Sequence, residues 1–256
     1  MLLSIPASAL AKLWPNASAD LRAGMVSTSA RVLPQYGIIT LLDLTDFLAQ
    51  LSEETGGGIA LIENLNYSAQ RLMQVWPSRF PSLDYAQKYG NNPRALANNV
   101  YAGREGNVSE SDDGFTFRGR GLIQLTFRNN YETIGKMTGL DLLNHPELAS
   151  NPMYALECAA ASWKHAGVSA YANAGDFEGE TKRINGGLIN LAHRVAWKKL
   201  WTAALSIENT APPASAPPST IPASPPLIKI PVAWPWIALG VAVAVAVGVG
   251  LWLYLR

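Results

Sequence analysis

Two glutamates flank a glycine run. Glu54 precedes Gly56-Gly57-Gly58 and Glu63 follows it, in the stretch AQLSEETGGGIALIENLN. Leu44, Phe47, Leu48 and Leu51 recur at i, i+3, i+4 and i+7 and mark one apolar face of a helix. Three successive glycines cannot continue that helix cheaply, so they read as its stop. Glu54 then lies in the last turn, where the helix dipole disfavours a carboxylate. That suits an acid that must hold a proton. Glu63 comes nine residues later, in looser chain ahead of the next helix. One protonated and one ionised carboxyl in different surroundings is what acid/base glycoside hydrolysis requires.

The elements around this pair are helical. Ser18 or Asp20 caps a helix through Leu21, Met25 and Val32, ended by Pro34 and Gly37. Thr40 caps the helix that carries Glu54. Asn66 or Ser68 starts another, with Leu72, Met73 and Trp76, stopped by Pro77. Residues 82–89 and 93–98 read as short helical pieces. Residues 99–120 are rich in Gly, Asn, Ser and Asp and form a long loop. The run Leu122-Ile123-Gln124-Leu125-Thr126 is strand-like, and residues 129–137 are helical. Asn151-Pro152 starts a helix buried through Met153, Leu156, Ala160 and Trp163. Asp176 opens a helix to about Ile184, closed by Asn185-Gly186-Gly187. A last helix, 191–206, directs Val195, Leu200 and Trp201 inward.

Composition narrows the function. The first 208 residues carry 18 basic and 19 acidic groups, a net of −1, which is not the footprint of a nucleic-acid binder. The single cysteine, Cys158, follows Leu156 in an apolar pattern and reads as core rather than nucleophile. His145, His165 and His193 match no metal spacing and read as structural or surface groups, so no metal or other cofactor is expected.

Residues 209–231 break with the helical pattern. They hold eight prolines among Ala, Ser and Thr, and form a semi-rigid linker able to span about 70 Å. Within residues 232–256, positions 237–255 run without a charge, with Trp234, Trp236, Trp252 and Tyr254 at the two ends. That is the pattern of one transmembrane helix. The N-terminal MLLSIPASALAKLW lacks the basic and long apolar regions of a secretory signal. The expectation is a tail-anchored chain whose residues 1–208 begin on the cytoplasmic face of the inner membrane.

Taken in order, EETGGG, ENLNYSAQRL, GRGLIQLTFRNNY at 119–131 and KRINGG at 182–187 resemble the glycoside hydrolase family 19 chitinases. They are more closely similar to the chitinase-like endolysins of bacteriophages. The likeness covers about residues 4 to 201. It implies a mainly α, two-lobed, lysozyme-like domain with a substrate cleft, and an inverting mechanism. By that resemblance Glu54 is the general acid and Glu63 the general base, with Thr126 holding the attacking water. Gln124, Tyr131, Asn185 and Arg194 become cleft residues, Arg194 near the acid's network. From the residues alone, Gln124 is balanced between a structural amide and a substrate contact, while Tyr131 reads as cleft wall. Arg118, Arg120 and Arg128 brace the loop. Glu105 and Asp113 are the fallback bases. One position departs from the pattern: relatives often have His before the acid, and here it is Glu53. A second carboxylate either helps keep a proton on Glu54 or points to solvent.

The resemblance and the tail together imply a monomeric, endolysin-type glycosidase. It would cut the β-1,4-linked aminosugar backbone of peptidoglycan strands and lyse the host cell. A chitinase acting on chitin and a non-catalytic, membrane-anchored glycan-binding module are the alternatives.

Overall fold

The computed structural model describes residues 3–210. Twelve α-helices occur among them: α1 (Ala7–Leu13), α2 (Ala19–Gln35), α3 (Leu41–Thr55), α4 (Ala69–Val75), α5 (Leu83–Gln87), α6 (Pro93–Tyr101), α7 (Asp113–Thr116), α8 (Arg128–Thr138), α9 (Ala155–Ala166), α10 (Val168–Ala174), α11 (Phe177–Asn185) and α12 (Leu191–Thr210). A 3-10 turn, Pro146–Ser150, precedes α9. The starts follow local chemistry. Ser18, Thr40, Ser68 and Ser82 each accept a hydrogen bond from the amide three residues on, which satisfies an orphan donor of the first turn. Asp176 does the same for α11.

The helices enclose two hydrophobic cores. The larger is built on α1, α2, α3, α8, α9, α10 and α12, with Leu21, Met25, Phe47, Trp14, Trp163 and Trp201 fully inside. Helix α3 runs through it, and every residue from 43 to 52 is buried. Helix α2 packs closely on the turn ahead of α9, where Gly24 meets the Pro152 carbonyl; a Cβ there would lie 2.1 Å from the oxygen. The smaller core gathers Leu65, Leu72, Phe80, Ala86, Leu96 and Tyr101 from α4, α5, α6 and their connections. The chain leaves the large core after α3, builds the small one, and re-enters the large one at Phe117. Residues 54–63 flank the outward crossing and residues 118–126 follow the return one, and the two stretches lie side by side.

Three sequence-based expectations change. The apolar run 122–126 forms no strand. Arg120 makes isolated antiparallel bridges to Ile62 and Leu125, and left-handed Gly121 and Gln124 turn the chain between them. Asn151-Pro152 is a turn, not a helix start. The Asn151 side chain accepts from the Met153 amide, α9 begins three residues after Pro152, and Met153 is exposed. Leu200 is exposed as well, because the buried stripe of α12 passes through Arg194, Trp201 and Leu205 and turns Leu200 outward. Cys158 is buried, as its pattern suggests. Among the described residues no helix is long and apolar enough to cross a membrane. The expected span 237–255, and the linker from residue 211 onward, lie outside the described residues.

Candidate active site

Glu54 ends α3 on the large lobe. The helix stops at Gly56, whose left-handed backbone (φ 60°) returns its amide to the Ser52 carbonyl. Gly58 (φ 81°) then passes so close to Trp14 that a Cβ would lie 2.6 Å from the indole. Only glycine fits at that position. These two turns leave Glu54 at the rim of the packed helix. Arg194 of α12 donates from Nη2 to Glu54 Oε1 at 2.7 Å and from Nη1 to Gln50 Oε1 at 2.6 Å. The Arg194 side chain is almost wholly buried. Gln50 in turn donates to Thr181 Oγ1 at 3.0 Å. The helix dipole is thus not the nearest charge acting on Glu54; Arg194 is. Glu53 does not point freely to solvent. Burial pushes its carboxyl up, while Arg194 and His193 pull it back. His193 Nδ1 lies 4.0 Å from Glu53 Oε1, so this histidine, though on the surface, borders the site.

Glu63 belongs to the other lobe and is not in loose chain. Its amide donates to the Gly119 carbonyl at 2.9 Å. Its carboxylate accepts from Tyr101 Oη at 2.6 Å and from the Gly119 amide at 3.2 Å. Burial pushes the Glu63 carboxyl above the usual range; Tyr101, Gly119 and the Arg118 charge oppose it. The same burial, with Glu63 alongside, drives the Tyr101 phenol far upward. Residues 58–62, which separate the two glutamates in the chain, line an open hollow of about 500 Å³ with Asn16 and Ser18.

The remaining candidates divide. Thr126 is half-buried, and its hydroxyl donates to the Gln124 carbonyl at 2.8 Å. Gln124 uses its Nε2 on the Ala60 and Gly121 carbonyls at 2.9 and 3.1 Å, stitching one crossing to the other. Asn185 closes α11, is buried, and its Nδ2 has no hydrogen-bond partner. Tyr131 is not cleft wall. It is fully buried against Phe117, donates to the Arg118 carbonyl and accepts from Arg120, and burial pushes its phenol up to about 12. An aromatic with a polar tip fits either place; two internal partners fix it inside.

Comparison with known proteins settles the family. Residues 39–174 match the family described as Chitinase class I. A glycosyl hydrolase family 19 domain-containing protein of Haemophilus influenzae is 36% identical over 200 residues, which is 77% of this chain and 94% of the relative. The chain belongs to glycosyl hydrolase family 19. An Arabidopsis thaliana endochitinase is 41% identical over 78 residues, covering 30% of this chain and 27% of the plant protein. Chitinase C from Streptomyces griseus shares the fold, with a TM-score of 0.53 at 18% identity over 79% of this chain and 92% of that one. As a family 19 member the chain is a glycoside hydrolase, chitinase-like in its hydrolysis of glycans.

Around this family 19 site the arginines act as braces. Arg118 donates to the Phe115 carbonyl, Arg120 to the Thr116 carbonyl, and Arg128 grips Asp113 with two bonds of 2.8 and 2.9 Å. Asp113 is held below its usual range by Arg128 and occupied structurally, which removes it as a fallback base. Glu105 lies on a left-handed turn whose carbonyl accepts from the Asn129 amide. Tyr101, Gly119 and Gln50 escaped the sequence reading. Tyr101 meets Glu63 across 38 positions, and no local spacing signals such a pair.

Proposed function

We propose that this family 19 glycosidase is an endolysin-type enzyme. It hydrolyses the β-1,4-linked aminosugar backbone of bacterial peptidoglycan by an inverting acid/base mechanism. The reading is carried by one observation: two carboxyls are anchored separately, Glu54 by Arg194 on the large lobe and Glu63 by Tyr101 of the small one. Arg194 occupies Oε1 of Glu54, so Oε2 carries the proton and delivers it to the glycosidic oxygen. Glu63 takes a proton from water on the opposite face of the sugar. Its desolvated carboxylate is the more basic for being buried, which strengthens it as a base. Thr126 completes the arrangement. Its hydrogen is committed to the Gln124 carbonyl, so towards a water it is an acceptor. A water that donates one hydrogen to Thr126 and one to Glu63 turns a lone pair towards the anomeric carbon. Gln124 and Asn185 would meet sugar amides and hydroxyls, through the Gln124 Oε1 and the unpartnered Asn185 Nδ2.

One observation favours exchanged roles: Glu63 is the desolvated carboxyl and Glu54 the one beside a cation. An aryl glycoside with a good leaving group separates the two, since only the acid variant keeps its activity on it.

The domain division follows the same proposal: residues 1–208 catalytic, 209–231 a linker, and 232–256 a membrane helix, on a monomeric chain. The uncharged run with aromatic ends supports an anchor that keeps the enzyme near murein, with the catalytic domain first on the cytoplasmic face of the inner membrane. Chitin, the substrate named for the endochitinase relatives, is the competing substrate. Turbidity loss of permeabilised Gram-negative cells, set against sugar release from chitin, tests the choice. Release from chitin alone would defeat the peptidoglycan reading. Protease added to intact spheroplasts tests the topology, and digestion of the domain at that stage would reverse it.

A further inference from the structure

Behind the candidate acid, three buried rungs join α3, α11 and α12. Asp46, Gln50 and Glu54 are spaced by four and share one face of α3, as Arg194 and Lys198 do on α12. The outermost rung is Arg194 on Glu54, and the middle one runs from Arg194 through Gln50 to Thr181. The innermost holds Lys198, whose Nζ donates to Asp46 Oδ2 at 2.9 Å and lies 2.8 Å from Oδ1. Glu180, the neighbour of Thr181, is within hydrogen-bonding reach of Asp46. Both carboxyls are completely buried. Among the described residues no well-aligned hydrogen bond reaches either oxygen of Glu180, beside which lies the Gln50 amide, and Asp46 Oδ1 meets only the Lys198 ammonium.

Two carboxylates in contact, shut off from water and sharing one ammonium, are strongly repulsive. A single proton removes the conflict, because a neutral Glu180 donates to Asp46 and satisfies one oxygen on each side. We propose that Glu180 is a positioning residue that keeps a proton and bonds to Asp46 as a neutral acid. It thereby fixes α11 so that Thr181 holds Gln50 and Gln50 holds Arg194 against Glu54.

The charges around the pair agree. Burial first, and then Asp46, push Glu180 up to about 9. Burial acts on Asp46 in the same direction, but Lys198 pulls it back, so the proton rests on Glu180. The charged groups facing it are Asp46 from α3 and Lys198 from α12, with the neutral Gln50 amide beside them. Glu178 and Lys182 of α11 pair with each other at the surface, and α10 brings Tyr171 against Gly179 without adding a charge.

The test is thermal unfolding of the whole chain in detergent, wild type against Glu180→Gln, from about pH 5 to above pH 9. The unfolded chain releases this proton near 4.5, whereas the folded chain keeps it to about 9. Wild-type stability therefore falls as pH rises through that window and is level above it, while a glutamine has nothing to release. The Tm advantage of Glu180→Gln should widen up to about pH 9 and then hold constant. A gap that does not change with pH overturns the proposal, as does a Glu180→Gln chain that fails to fold while Glu180→Asp folds. Infrared spectra give a second check: a protonated-carboxyl carbonyl band at neutral pH in the wild type, of which one component is lost in Glu180→Gln. Absence of that band in the wild type also overturns it. Only the kinetic arm rests on Glu54 being the acid. Wild-type kcat should drop near pH 9 at constant KM, and Glu180→Gln should lose that limb. Failure of this arm with the unfolding result intact overturns the positioning role if Glu54→Gln is inactive, and counts against Glu54 as the acid if Glu54→Gln is active.

Discussion

Arg194 and Glu54, 140 residues apart in the chain, meet through a 2.7 Å charge-assisted bond that joins the last helix to the end of the central one. One oxygen of Glu54 is thereby fixed in place, and the other is left free of Arg194.

Removing the proposed proton carrier should abolish hydrolysis without unfolding the protein. Glu54→Gln keeps the shape and still accepts from Arg194. Its kcat on murein should fall by roughly 10²–10⁴-fold, the usual loss for one acid/base group. Circular dichroism and Tm should match the wild type. A folded Glu54→Gln protein with full activity would remove Glu54 from the chemistry.

Glu63→Gln and Thr126→Ala should both be impaired, Glu63→Gln more severely. In the proposed mechanism the carboxylate generates the nucleophile, whereas the threonine only places it. Steady-state rates on the same murein preparation decide the order. The reverse ranking would transfer the base role to another acid.

Tyr101→Phe should displace the acidic limb of the pH–rate profile to higher pH. The phenol bond favours ionised Glu63, and burial opposes it. Loss of the bond raises the carboxyl further, so a higher pH is needed to ionise the base. A limb that stays put in Tyr101→Phe would mean that the titrating base is not Glu63.

Gly58→Ala should be more destabilising than Gly37→Ala. Both glycines have a left-handed backbone, but a Cβ at Gly37 meets nothing within 4 Å, whereas at Gly58 it meets Trp14 at 2.6 Å. Backbone strain alone costs about 1–3 kcal/mol, and the indole contact adds to it. Denaturant unfolding of the two variants measures the difference. Equal losses would show that Trp14 yields.

What the sequence discloses is local. The caps at Ser18, Thr40 and Asp176, the glycine stop after Glu54, and the buried faces of α3 and α9 depend on neighbours a few positions away, so spacing reveals them. The second half of the site is legible only through motif resemblance. Glu63 owes its setting to Tyr101 and Gly119, and Arg194 reaches Glu54 from the far end of the domain. Tyr131 is not placed by its sequence, because its type suits both a cleft and a core, and its partners Arg118 and Arg120 lie across a turn. The run 122–126 has strand composition but no partner long enough to make a ladder.

Because the chain builds its small core between Glu54 and the return at Phe117, the proposed acid and base are held by different cores. The gap between them is set by how those cores sit, like the opening of a calliper. An inverting pair works at roughly 6.5–9.5 Å, a tolerance of about 3 Å. The stretches 58–62 and 119–125 would then be the calliper's pivot, and a substitution there that leaves both carboxyls chemically intact should still lower the rate.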